Sequence, residues 1–385
     1  MLSVFLFWLA VVELLIVVVS VAEFAIGNRS IRSLKNAAPI SRHTLPKISV
    51  ITAARNEARN IEEALLSVLH QDYANLEVIV VDDRSSDETG AILDRMSAAN
   101  RRLRVVHVTE LPRGWLGKNH ALYRGAERAT GDWLLFSDAD VVMEPTTVSR
   151  GIRFALDERL DHLAVTPHVA MSGLLLNMVA GAFTLFFGIY AKPWKARDPK
   201  SSRHIGIGAF NLVRAEVYRA VGGHQSIALR PDDDMKLGKL IKKAGYRQDV
   251  VLGDGLITVE WYASVGELMR GLEKNSFAGV EYNFGLVILS FFAMLAMYVW
   301  PVFALAFTSG VTRLLNVAIL LGLAAGYADN ASFHGMKRWH CFALPLSALI
   351  FGFIILRATL KTILNDGINW RGTHYPLAEL KANKV

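Results

Sequence analysis

The sequence has 385 residues, of which 52% are hydrophobic and 20% are charged, and its formal net charge is +7. This composition is too apolar for an ordinary soluble enzyme and too charged for a bundle of membrane helices alone. Lysine and arginine are scattered without a nucleic-acid-binding motif, so we predict no nucleic-acid partner. The single cysteine, Cys341, excludes an intrachain disulfide and a CxxC metal site.

The chain begins with an apolar run, residues 1–26. A helix needs about 20 residues to cross the hydrocarbon core of a bilayer, so this run is long enough. It lacks a basic n-region and a small-residue cleavage site, which favours a transmembrane anchor over a cleaved signal peptide. Basic residues follow directly and predict, by the positive-inside rule, a cytoplasmic soluble part: Arg29, Arg32, Lys35, Arg42 and Lys47.

After the anchor, short β-branched runs alternate with segments of helical spacing, which predicts a doubly wound, mostly parallel α/β sheet. Ligands of such sheets bind beyond the carboxyl ends of the strands. No G-x-G-x-x-G or P-loop follows the first strand, which argues against a dinucleotide fold and a P-loop NTPase. The predicted strands are 47–53, 76–81, 104–108 and 133–137, and the predicted helices are 61–69, 89–96, 119–129 and 236–244.

Acidic residues follow two of these strands. Asp82 and Asp83 end the second strand, where a carboxylate can bind a base or a ribose hydroxyl, or form an acidic turn that caps the next helix. Asp138 and Asp140 follow the fourth strand, and residues i and i+2 of an extended chain face the same side. Because Mg²⁺ and Mn²⁺ take one or two carboxylates plus substrate phosphates, we predict a metal here, although a lone D-x-D is commonly a solvated turn.

Three consecutive acids, Asp232 to Asp234, precede the last predicted helix. Acidic residues stabilise a helix N-terminus, but three consecutive acids are more than helix capping requires. Like charges held together raise one pKa, which suits a general base. Two glycine-containing segments, 114–119 and 206–211, lie between these acidic motifs in the sequence. In the first, Lys118 either neutralises a diphosphate or is a surface lysine. The second either allows the backbone to approach a ligand closely or forms a bulged strand.

The remaining apolar segments raise a question of topology. Residues 163–191 contain no Asp, Glu, Lys or Arg, yet a single crossing there would separate the acidic motifs, so we predict an interfacial helix, with a buried core helix as the alternative. Of three later segments, 285–308 is span-length and 314–328 and 341–356 are shorter. Three crossings would leave the basic tail outside, so an inside tail requires one re-entrant or interfacial segment.

These motifs together resemble family 2 glycosyltransferases with the GT-A fold. A-R-N-E (54–57) is similar to the nucleotide-binding first loop, V-D-D-R-S-S-D-E-T (81–89) to the loop whose aspartates meet uracil and ribose, and S-D-A-D (137–140) to the metal-binding D-x-D. Aligned back from Ala244-Gly245-Tyr246, the family's E-D pair falls on Asp233-Asp234, which makes Asp234 the catalytic base.

Two further segments bear on the acceptor. G-W-L-G-K-N (114–119) and W-R-G-T (370–373) are similar to members that glucosylate carotenoids, hopanoid-type lipids or ceramide. Processive synthases carry Q-x-x-R-W after the catalytic aspartate, whereas residues 267–275 contain Arg270 and Lys274 without R-W, which favours transfer of a single sugar.

The resemblance implies an inverting enzyme that transfers a hexose from a UDP-sugar to a membrane lipid or isoprenoid acceptor at the cytoplasmic face. It implies Mn²⁺ or Mg²⁺ on Asp140 and Asp138, catalysis by Asp234 with Asp233, and donor binding by Ala54, Arg55, Glu57, Asp82, Asp83, Lys118, Asp138, Arg270 and Lys274. The predicted divisions are an anchor (1–26), a catalytic domain (47–280), C-terminal membrane helices (284–360) and a cytoplasmic tail (361–385).

Alternatives stay open. A polyisoprenyl-phosphate sugar transferase or a polysaccharide synthase keeps the enzyme class. A nucleotidyltransferase needs a basic, glycine-rich first loop, which A-A-R-N-E does not supply. A membrane scaffold with a vestigial sugar-nucleotide-binding domain would bind ligands without turnover.

Overall fold

The computed structural model describes residues 1–40, 45–171 and 173–385, so Arg42, one of the basic residues after the anchor, lies outside the described residues. The chain forms two compact units. The sheet unit comprises residues 31–170, 193–261 and 379–385, and the helical unit comprises residues 1–30, 171–192 and 262–378. The predicted catalytic domain, 47–280, thus contains two stretches that belong to the helical unit.

The secondary structure is numbered in chain order. The strands are β1 (Arg32–Ser33), β2 (Ile48–Ala54), β3 (Leu76–Asp83), β4 (Leu103–Val108), β5 (Trp133–Phe136), β6 (Val141–Met143), β7 (His162–Thr166), β8 (His168–Ala170), β9 (Asn211–Arg214), β10 (Gln248–Leu252), β11 (Ile257–Glu260), β12 (Gly367–Trp370) and β13 (Thr373–Pro376). The helices are α1 (Leu2–Arg29), α2 (Ile61–Leu69), α3 (Thr89–Ala99), α4 (Gly117–Arg128), α5 (Thr147–Asp157), α6 (Leu174–Ala191), α7 (Ala215–Ala220), α8 (Asp233–Lys243), α9 (Val265–Gly279), α10 (Phe284–Met294), α11 (Trp300–Phe307), α12 (Gly310–Phe333), α13 (Leu344–Leu364) and α14 (Leu377–Ala382).

The sheet unit is built on one large sheet with the order β1-β10-β7-β9-β5-β2-β3-β4. Strand β9 runs antiparallel to β5 and β7, and the other pairs are parallel. The predicted doubly wound, mostly parallel α/β fold is therefore confirmed. In the register of the sheet, Ala54 lies opposite Asp82 and Ile51 opposite Phe136, so β2, β3 and β5 end at the same edge. The A-R-N-E, V-D-D-R-S-S-D-E-T and S-D-A-D segments lie where these three strands end.

Helices cover both faces of the sheet. Ile61 of α2, Leu93 of α3 and Ile152 of α5 pack into the apolar core on one face. Leu122 of α4 and Leu237 of α8 pack into the core on the other. Full burial of one such aliphatic side chain stabilises the fold by about 1.5–3 kcal/mol relative to exposure. The two cores therefore fix the edge from which the site loops emerge.

The prediction of one apolar helix over 163–191 is wrong in its first part. Residues 162–166 form β7, which pairs with β9 and β10 inside the sheet, and β8 pairs with β11 in a smaller sheet, β6-β11-β8. Helix α6 starts only at Leu174. A strand buried on both faces is as continuously apolar as a helix, so hydrophobicity alone does not distinguish them.

The helical unit contains apolar helices. In the described chain, five helices are long and apolar enough to cross a membrane: Leu2–Arg29, Leu174–Lys195, Phe284–Phe307, Gly310–Phe333 and Arg338–Leu364. The segments predicted as short, 314–328 and 341–356, are thus parts of full-length helices. Each helix continues beyond its apolar stretch through polar residues such as Asp329 and Lys361. The length of the apolar stretch therefore underestimated the length of the helix.

Helices α1 and α12 pack side by side and run in the same direction. A Cβ added at Gly322 would lie 2.8 Å from Val17, and one at Gly326 would lie 2.7 Å from Val21. Near their ends, Arg29 Nη1 donates to Asp329 Oδ2 at 3.0 Å. Because the residue numbers of both helices rise together along the contact, the C-terminal ends of α1 and α12 lie at the same level.

The last residues of the chain belong to the sheet unit. Leu380 is fully buried there, and Val385 packs against the core beneath α4 and α8. The Asn383 side chain accepts a hydrogen bond from the Leu229 amide at 2.9 Å and donates to the Ser226 carbonyl at 3.1 Å. The residues predicted to be a cytoplasmic tail, 361–385, form the end of α13, a hairpin and a C-terminal segment that packs in the sheet unit.

Candidate active site

The loops after β2 and β3 are tied together by hydrogen bonds. The Asn56 amide donates to Ser85 Oγ at 3.0 Å, and the Glu57 amide donates to Thr89 Oγ1 at 2.8 Å. Asp87 accepts from the Ala58 amide at 3.2 Å and from the Thr89 amide at the start of α3 at 3.0 Å. The A-R-N-E and V-D-D-R-S-S-D-E-T segments therefore form one surface, with Ala54, Arg55 and Glu57 beside Asp82 and Asp83.

Asp82 and Asp83 have different partners. Asp82 accepts from the Ser85 amide at 3.2 Å and lies 3.0 Å from His107 Nδ1. Both carboxylate oxygens of Asp83 accept hydrogen bonds from the Arg84 guanidinium, at 2.8 and 3.0 Å. Arg84 adopts the left-handed conformation, with φ of 57°. Arg84 was not among the predicted site residues.

Lys118 lies at the centre of the acidic residues. It is the second residue of α4, and its Nζ lies 2.8 Å from Asp138 Oδ1 and 3.4 Å from Asp233 Oδ1. Burial opposes the charge of Lys118, but Asp138, Asp233 and Asp234 outweigh it and raise the pKa of the amine. Lys118, which was predicted to neutralise a diphosphate, thus joins acidic residues from two other segments of the chain.

The segment Gly206–Gly208 fits closely against the acids. A Cβ at Gly208 would lie 2.4 Å from Asp138 Oδ2, and one at Gly206 would lie 1.8 Å from the Asp234 carbonyl oxygen. The Gly208 amide donates to Asp234 Oδ2 at 2.9 Å, while its carbonyl accepts from the Asp138 amide at 3.0 Å. Gly208 therefore contacts Asp234 through its amide and Asp138 through its carbonyl. The segment is a loop before β9 rather than a bulged strand.

The carboxylates are not electrostatically equivalent. Burial and the neighbouring charge of Asp233 raise the pKa of Asp234 to about 7. Burial, Asp138 and Glu57 raise the pKa of Asp140 to about 6. Both side chains are thus poised to take up a proton or bind a cation near neutral pH.

Asp232 is held differently from its two neighbours. Its Oδ1 accepts from Arg230 Nε at 3.0 Å, its Oδ2 accepts from Arg230 Nη2 at 3.2 Å, and Lys236 Nζ lies 3.4 Å away. Arg230 is only 1% exposed, so Asp232 is the counter-charge of a buried guanidinium.

The residues fit a divalent cation that is held partly by substrate. In the described part of the chain, no group of three or more His, Cys, Asp and Glu side chains is arranged to hold a metal by itself. Asp138 and Asp140 lie at the same edge of the sheet. The negative charges of Asp138 and Glu57 repel that of Asp140, and a bound cation would reduce this repulsion. A site of one or two carboxylates completed by substrate phosphates matches the preference of Mg²⁺ and Mn²⁺.

Arg270 and Lys274, predicted to bind the donor, are on α9 in the helical unit, whereas the other predicted residues are in the sheet unit. Lys274 Nζ lies 4.5 Å from the centroid of the Trp370 ring. Their role at the donor stays a prediction.

Sequence reasoning missed the residues that support the acids. The buried Asn119 side chain donates to the carbonyls of Ile227, Ala228 and Arg230, at 2.8, 3.2 and 2.9 Å, and so fixes the segment before Asp232. Asn383 holds the same segment from the other end of the chain. The amide beside Lys118 is visible in the sequence, but its partners, more than 100 residues away, are not.

Comparison with known proteins agrees with this geometry. A model of the family described as Glycosyl transferase family 2 matches residues 49–222, which include both tied loops, Lys118, Asp138 and Asp140. The chain carries a glycosyl transferase family 2 domain. Its β2, β3 and β5 loops are the part of this glycosyltransferase domain where the acids converge.

Curated relatives extend the match beyond the domain. The chain is 26% identical over 244 residues to a 4,4'-diaponeurosporenoate glycosyltransferase of Staphylococcus haemolyticus, covering 62% of this chain and 63% of that relative, somewhat less than two thirds of its length. It is 23% identical over 385 residues to the protein of the same name from Staphylococcus aureus, covering 97% and 99%. Both relatives are glycosyltransferases by name, in agreement with the family description of the matched domain.

A solved structure shares the fold. The mannosyltransferase PcManGT from Pyrobaculum calidifontis, determined in complex with GDP-Man and Mn²⁺, aligns with a TM-score of 0.56 at 20% identity, covering 93% of this chain and 99% of that one. The GT-A fold expected from the motifs is therefore confirmed.

Proposed function

We propose that the protein transfers a single hexose, with inversion, from a UDP-sugar to a membrane lipid or isoprenoid acceptor at the cytoplasmic face. The observation that carries the proposal is the cluster in which Lys118 joins Asp138 to Asp233, with Asp234 held beside them by Gly208. This cluster supplies a base, a cation and metal-binding carboxylates at one edge of a sheet.

Asp234 is the proposed general base. Its raised pKa lets it accept the proton of an acceptor hydroxyl as that oxygen attacks the anomeric carbon. Asp233 anchors Lys118 and keeps a negative charge beside Asp234. Asp138 and Asp140 would hold Mn²⁺ or Mg²⁺, which would neutralise the charge of the departing diphosphate.

The donor is proposed to bind along the tied loops after β2 and β3. Their backbone and side chains present Ala54, Arg55, Glu57, Asp82 and Asp83 on one surface, as expected for recognition of a base and a ribose. Lys118 would stabilise the leaving diphosphate from the Asp138 side. The absence of R-W in 267–275 supports one transfer over polymer synthesis.

The connectivity supports a membrane-anchored enzyme with its sheet unit on one side. Strands β7 and β9 lie in the same sheet, one before and one after α6, so α6 makes no net crossing and suits an interfacial position. The C-terminus also belongs to the sheet unit, so an even number of crossings separates residues 261 and 379.

The direction of α12 assigns those crossings. Because α12 runs parallel to α1, its C-terminal end lies at the level of Arg29, the C-terminal end of the anchor. We therefore propose that α10–α11 cross outward, that α12 returns, and that α13 is re-entrant or interfacial. This topology keeps the tail inside.

A lipid acceptor is supported by this architecture and by the relatives, whose name states a carotenoid-type acid, diaponeurosporenoate, as the compound they glycosylate. An acceptor of that kind would remain in the bilayer while its reactive group reaches the sheet edge.

Two measurements test the proposal. Purified protein with Mn²⁺ or Mg²⁺ should release nucleoside diphosphate from one member of a panel of UDP- and GDP-sugars in the presence of membrane lipids. Mass spectrometry of membranes with and without expression should show one lipid gaining the mass of one hexose. No turnover with any donor would refute the enzyme proposal, and a ladder of hexose additions would indicate polymer synthesis instead.

A further inference from the structure

His107 links the carboxylates of two different elements of the sheet unit. It is on β4, opposite Asp82 in the register of the sheet. Its Nδ1 lies 3.0 Å from Asp82 Oδ2, and its Nε2 lies 2.9 Å from Asp94 Oδ1 on α3. Since a neutral imidazole carries one N–H, the ring donates at both nitrogens only in its protonated form. The protonated ring therefore connects the proposed donor surface, at Asp82, with the helix that follows it.

The two carboxylates differ in their access to water. The side chain of Asp82 is 10% exposed, whereas that of Asp94 is 63% exposed. The hydrogen bonds from His107 to Asp94 and Asp82 outweigh the opposite effect of burial and raise the pKa of His107, which favours the doubly donating form. A buried carboxylate depends on its protein partners more than one that water solvates. We therefore expect the position of Asp82 to depend on His107, with Asp94 orienting the ring.

The Asp82 carboxylate is held at both of its oxygens. Oδ1 accepts from the Ser85 amide at 3.2 Å, and Oδ2 faces His107. A Cβ added at Gly90 would lie 3.1 Å from Asp82 Oδ2, so the glycine at the start of α3 leaves the space that this oxygen occupies. Because each carboxylate oxygen can accept two hydrogen bonds, both still have capacity for a ligand.

The neighbouring acid, Asp83, is held by a different kind of partner. Both of its oxygens accept from the Arg84 guanidinium, at 2.8 and 3.0 Å. The imidazole of His107 is not among the partners of Asp83. A substitution at His107 should therefore disturb Asp82 and leave Asp83 in place.

We propose that His107 is a positioning residue of the donor surface, whose Nδ1–H holds the Asp82 carboxylate in the orientation that accepts a hydrogen bond from the nucleoside. Asp94 fixes the ring by accepting from Nε2–H. His107 itself does not touch the donor, so it affects donor affinity and not the transfer step. The inference rests on the donor surface proposed above, because it requires a nucleoside at Asp82.

Two substitutions that each keep one nitrogen test this role. An asparagine amide can take the place of Nδ1, and a glutamine amide that of Nε2. In calorimetry of the full-length protein in detergent with Mn²⁺, His107→Gln should weaken UDP binding about fivefold, the effect of one lost hydrogen bond, while kcat stays unchanged. His107→Asn should bind UDP within about twofold of the wild type. His70→Gln removes an exposed histidine after α2 and should change neither quantity.

A measurement without donor tests the link between the two carboxylates. The pKa of His107, followed by NMR of the histidine rings in the full-length protein, should fall in Asp94→Asn, because one of the two negative charges is removed. An unchanged pKa would show that the ring does not join Asp82 to Asp94 and would overturn the proposal.

The binding results separate this inference from the proposed function. Equal UDP binding by the wild type and both His107 variants would refute the positioning role and leave the proposed function intact. Equally weakened binding by both variants would show that the ring is needed for packing and not for its Nδ1–H, which also refutes it. A wild type that binds neither UDP nor GDP would overturn the proposed function and this role with it.

Discussion

The two units differ in which side chains they expose and in where their buried polar groups lie. In the sheet unit the interior is apolar, and the buried charges, including Asp83, Arg230 and Asp233, gather where the strands end. In the helical unit many of the largest apolar side chains, such as Trp8 and Phe353, are exposed, and amides such as Asn330 are buried between helices. The first pattern is that of a protein folded in water, and the second suits helices surrounded by lipid. We therefore expect the sugar-transfer chemistry to take place in the sheet unit.

The largest expected effect is a loss of turnover with unchanged donor binding in the sheet unit. Asp234→Asn should lower kcat about 10²–10⁴-fold, because the amide cannot accept the acceptor proton. UDP binding, measured by calorimetry, should stay near the wild-type value. Loss of UDP binding together with kcat would show that Asp234 shapes the donor site instead.

Asp232→Asn is the matched control for this substitution. Since it weakens two charge-assisted hydrogen bonds that the buried Arg230 donates, it should destabilise the fold by about 3 kcal/mol, seen as a lower Tm, while the remaining folded enzyme turns over. If Asp232→Asn abolishes turnover and Asp234→Asn does not, the register of the acidic motif is wrong.

A smaller effect is expected where the chain end joins the sheet unit. Asn383→Ala removes two hydrogen bonds from the segment 226–229, at about 1 kcal/mol each, so we expect a loss of roughly 2 kcal/mol and a reduced kcat. Thermal unfolding and initial rates measure both. Lys384→Ala, next to it and exposed, should change neither, and equal effects of the two variants would argue against a specific contact.

A substitution in the helical unit should affect stability and acceptor use but not donor binding. Gly326→Leu places a side chain against Val21, and such overpacking costs about 1–3 kcal/mol. The variant should lose thermal stability in detergent and activity on a lipid acceptor while binding UDP normally. Impaired UDP binding would show that the two units do not function separately.

The mildest effect is on the pH profile. Because burial and Asp233 raise the pKa of Asp234 to about 7, the base is protonated and inactive below that pH and ionised above it. We therefore expect log kcat to rise by about one unit per pH unit below 7 and to level off above it. A profile that is flat between pH 6 and pH 8 would contradict this assignment.

Much of the sheet unit could be predicted from local pattern. The β-branched runs gave β2, β3, β4 and β5 to within two residues at each end. Strand β7 could not be recognised, because its apolar run continues with little interruption into that of α6. The lengths of α12 and α13 were also underestimated, since polar residues at a helix end leave the apolar run but not the hydrogen-bonded helix.

For the candidate site, the sequence by itself determined which chemical groups the strand ends carry, because parallel strands end at one edge and the motifs follow them directly. Only the tertiary structure decided which of these groups are partners. Lys118 meets Asp138 and Asp233, Arg230 meets Asp232, and Gly208 separates Asp138 from Asp234. Such pairs form between side chains that are far apart in the sequence. The spacing of residues along the chain therefore does not predict the distances between these side chains in the fold. The same holds for the C-terminus, whose packing in the sheet unit could not be predicted from the sequence.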